Sequence, residues 1–299
     1  MTDYNEKQEK KNTKNNNYNL NHHPHREHKL TLKILALAII ISAIFANSIT
    51  IFSDQDNRQS SSLWILIITA AIACGLGTIA VYRYGLYGTH GKSYLFLTLG
   101  LLSWFLADAA ELYYHVVEGH EEQKFVSISD WLWFAGYGFL SAHLFTIISS
   151  LRSSIRLRVI FLVAVISVLF VSYNTHLLLS SPEGYVLVGG KDVDFLALVV
   201  TVAYHILDLI LIVPSGIILM SLRKDYQHSI PWFLASLSLL INAVADDGYV
   251  HDFVNGNLQN LWVWNLFYTT DFIIMAGALF WYNKFHISDE LSRKKITAK

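Results

Sequence analysis

The sequence predicts an all-α fold, a polytopic membrane helix bundle of eight transmembrane helices arranged as two parallel four-helix repeats. Hydrophobic residues make up 53% of the 299 positions and charged residues only 15%, whereas soluble domains carry about 25% charged residues. The charged residues lie in short clusters between apolar runs of roughly 20 residues, which is the length that crosses a bilayer core as a helix. The second half of the chain also repeats a pattern of the first half, as shown below.

Each apolar run predicts a helix, because a backbone in lipid must satisfy its own hydrogen bonds. The predicted spans lie near residues 30–52, 62–82, 92–117, 129–150, 157–179, 193–221, 230–253 and 260–283. Pro214 in the sixth span predicts a kink. Residues 1–29 are polar and rich in Asn, Lys and His, which predicts a disordered cytoplasmic tail. Residues 284–299 predict a second, short cytoplasmic tail.

The Lys and Arg residues predict the orientation of the spans, because basic residues concentrate in cytoplasmic loops. They gather at one set of helix ends, at Lys29, Lys33, Arg83, Lys92, Arg152, Arg156, Arg158, Arg223, Lys224 and Lys284. The opposite loops carry few basic residues beside acidic ones such as Asp54 and Glu118. We therefore expect a cell-membrane protein with both termini in the cytoplasm. The net charge of −1 gives no reason to expect a nucleic-acid partner.

The third and seventh spans resemble each other, and so do the fourth and eighth. Residues 99–119 align with residues 237–257, which places Asp108 on Asp246. A Trp-x-Trp-x-x-x-Tyr pattern begins at Trp131 in the fourth span and at Trp262 in the eighth. We expect residues 30–150 to superpose on residues 157–283 by a rotation near a half turn about the membrane normal.

Titratable residues near the outer ends of these spans are the first candidates for a site. Asp108, Glu111 and His115 are spaced i, i+3, i+7, which places them on one face of the third helix. Asp130 opens the fourth span, where a carboxylate suits a helix N-terminus. The seventh span brings further candidates to the same level, namely Asp246, Asp247 and His251. We expect one outward-opening cavity that is faced by Asp108, Glu111, Asp246 and Asp247, with His115 and His251 at its rim. Helix capping and contact with water would also explain the acids.

Three candidates lie deeper in the predicted membrane. His205 and Asp208 share one face of the sixth span, and Asp271 lies about three turns into the eighth. An Asp in mid-membrane costs on the order of 3 kcal/mol, so Asp271 should face the bundle interior. We expect it on the floor of the cavity with His205 as a partner, while a structural interhelical hydrogen bond is the alternative.

Tryptophan residues lie at the start of the fourth and eighth spans, and their role has two interpretations. An aromatic belt at the level of the lipid headgroups explains them without a ligand. An aromatic-lined pocket below the acidic residues is the other interpretation. The four residues concerned are Trp131, Trp133, Trp262 and Trp264.

The stretch from Asp108 to Leu140 resembles a family of polytopic, sensor-like prokaryotic membrane modules. These modules often precede diguanylate-cyclase (GGDEF) domains in bacteria and stand alone in archaea. The family pattern is an Asp that ends one helix, a Tyr-rich turn, a Gly, a Ser-x-Ala-Asp segment that opens the next helix and a Tyr-Pro step. The matching residues are Asp108, Tyr113, Tyr114, Gly119, Ser127, Ile128, Ser129, Asp130 and Tyr137. Gly138 stands where the family has Pro. The resemblance implies a sensory or ligand-binding module, here without an attached output domain.

The sequence leaves three functions open, and it favours ligand recognition without catalysis over the other two. A sensory or ligand-binding protein would bind a cation or an amine-bearing ligand and pass its signal to a separate cytoplasmic partner. A secondary transporter of a cation or amine is the first alternative, and a metal-dependent intramembrane hydrolase is the second. No P-loop, H-E-x-x-H or G-x-S-x-G motif occurs, so no catalytic residue is assigned. No cofactor is identified, and a divalent cation remains an alternative ligand.

Overall fold

The computed structural model describes residues 30–86, 88–118, 126–151, 155–180, 195–222, 226–255 and 257–287. The chain forms two units, residues 1–42 and residues 43–299. In the first unit the described residues, 30–42, are helical. The predicted N-terminal tail, residues 1–29, lies outside the described residues.

Helices account for the secondary structure of the described residues, which confirms the predicted all-α membrane bundle. Eight of them in this part of the chain are long and apolar enough to cross a membrane. We number them α1 (Leu30–Ile51), α2 (Arg58–Tyr84), α3 (Gly88–Tyr113), α4 (Ile128–Leu151), α5 (Leu157–Ser180), α6 (Phe195–Ser221), α7 (Tyr226–Val254) and α8 (Trp262–Trp281). The protein is therefore a multi-pass membrane protein, and its spans indicate a lipid bilayer as its environment.

Six of the helices pack into a closed ring in the order α2, α3, α4, α6, α7, α8, with α8 returning to α2. Helix α5 is not a member of the ring and packs mainly against α6. Its large apolar side chains, such as Phe161 and Leu169, are exposed, as lipid-facing side chains are in a membrane bundle. The ring interior is filled by buried apolar side chains that include Leu97, Leu140, Leu211, Leu239 and Met275.

The ring order is compatible with the predicted repeat. A half-turn rotation would exchange α2 with α6, α3 with α7 and α4 with α8, and the observed order permits all three exchanges. The aligned side chains nevertheless make different contacts in the two halves. Trp133 donates to Asp108, whereas its counterpart Trp264 donates to Asp252. Superposition of the two halves therefore stays a prediction.

Two of the helices continue into wider turns at their C-terminal ends. A wider π-helical turn, Tyr114–Glu118, extends α3. A similar turn, Tyr282–His286, follows α8, so the helical backbone continues past the predicted start of the C-terminal tail. Pro214 lies within α6, where it removes one backbone N–H donor. The kink predicted there stays a prediction.

Glycine residues at two helix contacts let neighbouring helices of the ring approach closely. A Cβ atom added to Gly136 of α4 would lie 2.2 Å from Cδ1 of Trp104 on α3. The Trp104 indole also donates to the carbonyl oxygen of Trp133, with a distance of 3.1 Å between nitrogen and oxygen. In the other half, a Cβ added to Gly248 of α7 would lie 2.2 Å from the Trp264 ring of α8. Glycine at these positions lets a tryptophan pack against the neighbouring backbone.

Candidate functional site

One cavity of about 260 Å³ lies inside the ring, and all six ring helices line it. It lies toward the end of the bundle where α3 and α7 end and where α2, α4, α6 and α8 begin. Gln59, Glu111 and Asp130 in its wall are partly exposed, whereas Asp108 and Tyr137 are buried. The cavity therefore extends from a partly exposed rim to a buried floor.

Four carboxyl groups line this cavity, those of Asp108, Glu111, Asp130 and Asp246. All four were candidates from the sequence. The described residues that line the cavity include no Lys or Arg. Its described wall therefore combines four acidic groups with no Lys or Arg side chain to balance the negative charge that they carry when ionised.

Hydrogen bonds hold three of these carboxyl groups in place. The indole Nε1 of Trp133 donates to Oδ1 of Asp108 over 3.0 Å, and the Ser129 hydroxyl donates to Oε2 of Glu111 over 3.2 Å. Asp130 accepts from the backbone N–H of Ser127 at 2.7 Å. Because these donors come from the start of α4 and the residue before it, the opening of one helix orients all three acids.

The fourth carboxyl group, that of Asp246, meets groups from three other helices. The Tyr268 hydroxyl of α8 donates to its Oδ1 at 2.5 Å. The Tyr137 hydroxyl of α4 contacts its Oδ2 and also lies 2.6 Å from Oδ1 of Asp208 on α6. Asp208 is buried, with 1% of its surface exposed, and lies behind the cavity wall.

Asp271 is buried in the ring, as expected, but it is not among the residues that line the cavity, and its partners differ from the expected one. The Ser238 hydroxyl of α7 contacts its Oδ1, and the Asn242 side chain also hydrogen-bonds to it. His205, its expected partner, lies beside Asp247 instead. His205 on α6 does not reach Asp271 on α8, because α7 lies between these two helices in the ring.

The remaining candidates from the sequence do not line the cavity. His115 contacts the Ser60 hydroxyl at 2.9 Å, and His251 lies 3.5 Å from the Asp252 carboxyl group. Asp247 is adjacent to Asp246 in sequence but faces Asn174 of α5 and His205 of α6. One helical position rotates a side chain by about 100°, which is enough to move Asp247 to another face of α7.

Aromatic side chains form much of the rest of the cavity wall. Trp133 faces the cavity, while Trp131 is exposed and Trp264 lies outside the lining. The sequence analysis did not single out Tyr204 or Tyr249, although both line the cavity. Helical spacing could have identified both tyrosines, because each shares a helix face with an acid. Tyr204 is four residues before Asp208, and Tyr249 is three residues after Asp246.

Two further observations bear on ligand chemistry. Asn242 lines the cavity with 4% of its surface exposed, and its Oδ1 has no hydrogen-bond partner. Among the described residues, no three His, Cys, Asp or Glu side chains come together in a way that could hold a metal ion. The arrangement thus offers acidic groups, aromatic surfaces and one open hydrogen-bond acceptor.

Comparison of the chain with family models, with curated proteins and with solved structures finds no match.

Proposed function

We propose that this membrane protein recognises a small organic cation, an amine carried as ammonium, in its outward-facing cavity and acts as a sensor. The observation that carries the proposal is the composition of the cavity wall. Four carboxyl groups and several aromatic rings line it, and its described lining contains no basic side chain. A cationic ligand would supply the missing positive charge.

The electrostatics favour a cation over a neutral ligand. A carboxylate and an ammonium about 4 Å apart attract each other several times more strongly at a protein surface than in bulk water. Asp108 is buried and held by Trp133, so its carboxyl group meets a ligand without first losing side-chain freedom. Aromatic faces add cation–π attraction, which grows when the cation leaves water. Trp104, Trp133 and Tyr249 provide such rings.

Asn242 adds a hydrogen-bond acceptor to this environment. Its side chain hydrogen-bonds to Asp271, and its Oδ1 remains without a partner. A buried acceptor without a hydrogen bond costs about 1–3 kcal/mol, so a donor is favoured at this position. An ammonium group carries N–H donors, and the carboxyl groups of Asp108 and Asp246 line the same cavity.

An organic cation fits the site better than a divalent metal ion does. Calcium and magnesium need several oxygen ligands that converge at about 2.0–2.6 Å. Here, each lining carboxyl group contacts its own donor, such as Trp133 for Asp108 and Tyr268 for Asp246. The described residues form no metal-holding group. The metal-dependent hydrolase proposed from the sequence is therefore the weaker candidate.

Recognition also fits the ring interior better than transport does. A transporter needs a polar route from the cavity to the opposite membrane face. Below the cavity, the interior is filled by apolar side chains such as Leu140, Leu211 and Leu239. The resemblance of residues 108–140 to sensory modules supports the same interpretation. A separate cytoplasmic partner would then read the bound state.

Thermal-shift measurements with benzylamine, benzyl alcohol and divalent metal salts test this proposal. Benzylamine and benzyl alcohol share a shape, but only benzylamine is a cation at neutral pH. We expect benzylamine to raise the unfolding temperature of the purified protein, while benzyl alcohol and Mg²⁺ leave it unchanged. Equal shifts with both benzyl compounds, or a shift with the metal alone, would contradict the proposal.

A further inference from the structure

The hydroxyl group of Tyr137 lies between two carboxyl groups that come from different helices. Its oxygen is 2.6 Å from Oδ1 of Asp208 on α6 and also contacts Oδ2 of Asp246 on α7. Tyr137 itself belongs to α4 and is buried, with 2% of its surface exposed. Three ring helices thus meet at a single hydroxyl group.

The Tyr137 hydroxyl contacts two carboxyl groups but has only one hydrogen to donate. A phenol carries a single hydrogen, and an ionised carboxylate carries none. Tyr137 can therefore donate to Asp208 or to Asp246, but not to both. The Tyr268 hydroxyl does not fill the gap, because it donates to the other oxygen of Asp246, Oδ1. The second contact of Tyr137 is a hydrogen bond only if a carboxyl group carries a proton.

The contact between the two acids leads to the same requirement. The side chains of Asp208 and Asp246 also lie close enough to interact directly with each other. Two carboxylates in contact repel each other strongly, and such pairs share a proton. Asp208 has 1% of its surface exposed, so water cannot screen the repulsion.

In the part of the chain that the structure describes, no Lys or Arg side chain is placed to replace that proton with a positive charge. The titratable groups that act on the pair include Asp108 of α3, Tyr204 of α6 and Asp247 of α7. Helix α8 adds Tyr268 and Asp271. His205 of α6, His251 of α7 and Asn174 of α5 act on Asp247. Cys74 of α2 is near Asp108. No Lys or Arg side chain is among the described groups that act on the pair.

We propose that Asp208, Tyr137 and Asp246 form a proton-binding site in the floor of the cavity, with one proton held by the two carboxyl groups together. The proton belongs to the pair and not to either residue alone. Tyr137 and Asp246 line the cavity, while Asp208 lies behind them. Water in the cavity therefore exchanges the proton, accepting it as hydronium when the pair ionises. This site does not depend on the identity of the organic ligand.

Infrared spectroscopy of the whole protein in lipid nanodiscs tests the proposal directly. A protonated carboxyl group gives a carbonyl band that is separate from the carboxylate bands and shifts in D₂O. We expect such a band in the wild type at neutral pH. Asp208→Asn and Asp246→Asn should each change the frequency or the intensity of this band, because either change removes one of the two carboxyl groups that share the proton. Asp54→Asn, at an exposed position between α1 and α2, is the matched control and should retain the band.

Tyr137→Phe keeps both carboxyl groups but removes the bridging hydroxyl. It should retain the band and shift its frequency, because the carbonyl loses a hydrogen-bond partner. A wild-type spectrum without the band would overturn the proposal whether or not any variant folds. Persistence of the band unchanged in both Asp208→Asn and Asp246→Asn, or an unshifted band in Tyr137→Phe, would also overturn it.

Discussion

The indole nitrogen of Trp133 donates a hydrogen bond to Asp108 at 3.0 Å, so an aromatic residue at the start of α4 fixes an acid near the end of α3. Both residues line the cavity. The contact explains why a tryptophan of the predicted aromatic belt faces the interior.

Trp133→Phe should lower the stability of the folded protein by about 1–3 kcal/mol, because the buried Asp108 carboxyl group loses its donor. The change keeps an aromatic ring and most of its volume. Chemical denaturation in detergent measures the effect. Trp131→Phe is the control, since Trp131 opens the same helix but is 57% exposed. Equal stability of the two variants would show that the hydrogen bond contributes nothing.

Gly136→Ala should destabilise the protein by about 1–3 kcal/mol, since overpacking at a close contact forces neighbouring groups to move. The added methyl group would lie 2.2 Å from Trp104, which joins α3 to α4. Gly138→Ala on the same helix is the control, because no atom lies within 4 Å of its added Cβ. It should be neutral or stabilising by up to about 1 kcal/mol. Thermal unfolding distinguishes the two, and a loss of stability in both would contradict the packing argument.

The sequence was sufficient for the fold class because membrane length and backbone hydrogen bonding leave few alternatives to helices. It also identified Asp108, Asp130 and Asp246, which line one cavity. Helical spacing placed Glu111 on the same face as Asp108, and the structure places both at the cavity. Residues that share one helix face are therefore predictable from spacing alone.

Contacts between helices were not predictable, because they depend on helix order and rotation. The predicted depth of both residues in the membrane suggested His205 as the partner of Asp271, whereas the Ser238 hydroxyl contacts that carboxyl group. The meeting of Asp208 with Asp246 through Tyr137 joins residues as far as 109 positions apart in the chain. No local pattern contains that information. The position of Tyr204 in the cavity wall could be predicted only by knowing that α6 is next to α4 in the ring.

The predicted orientation can be tested by labelling introduced cysteines from outside the cell. In a Cys74→Ala background, a cysteine at Gln55 or Gln123 should react with a membrane-impermeant reagent, and one at Ser154 should not. Gln55 is exposed, while Gln123 and Ser154 lie outside the described residues. The basic residues near Ser154 are the reason for the expectation. Labelling at Ser154 from outside would reverse the orientation and place the cavity on the cytoplasmic side.

Benzylamine binding should weaken as the pH falls. Protons and ammonium groups compete for the same carboxylates, so protonation of the lining acids removes the attraction. Benzylamine itself remains a cation under acidic conditions. Equilibrium dialysis across a pH series measures the dissociation constant, with benzyl alcohol as the control that should show no such trend. Tighter benzylamine binding at acidic pH would contradict recognition through the carboxylates.

Calorimetric titration of benzylamine into the wild type, Asp108→Asn and Asp54→Asn tests the central claim most directly. Asp108→Asn keeps the side-chain volume and removes the charge, whereas Asp54→Asn removes an exposed charge between α1 and α2. A hydrogen bond to a charged group contributes about 1.5–3 kcal/mol, so Asp108→Asn should weaken binding by at least about tenfold. Asp54→Asn should bind as the wild type does. Equal affinities of all three proteins, or no binding to the wild type, would show that the cavity does not recognise an organic cation through Asp108.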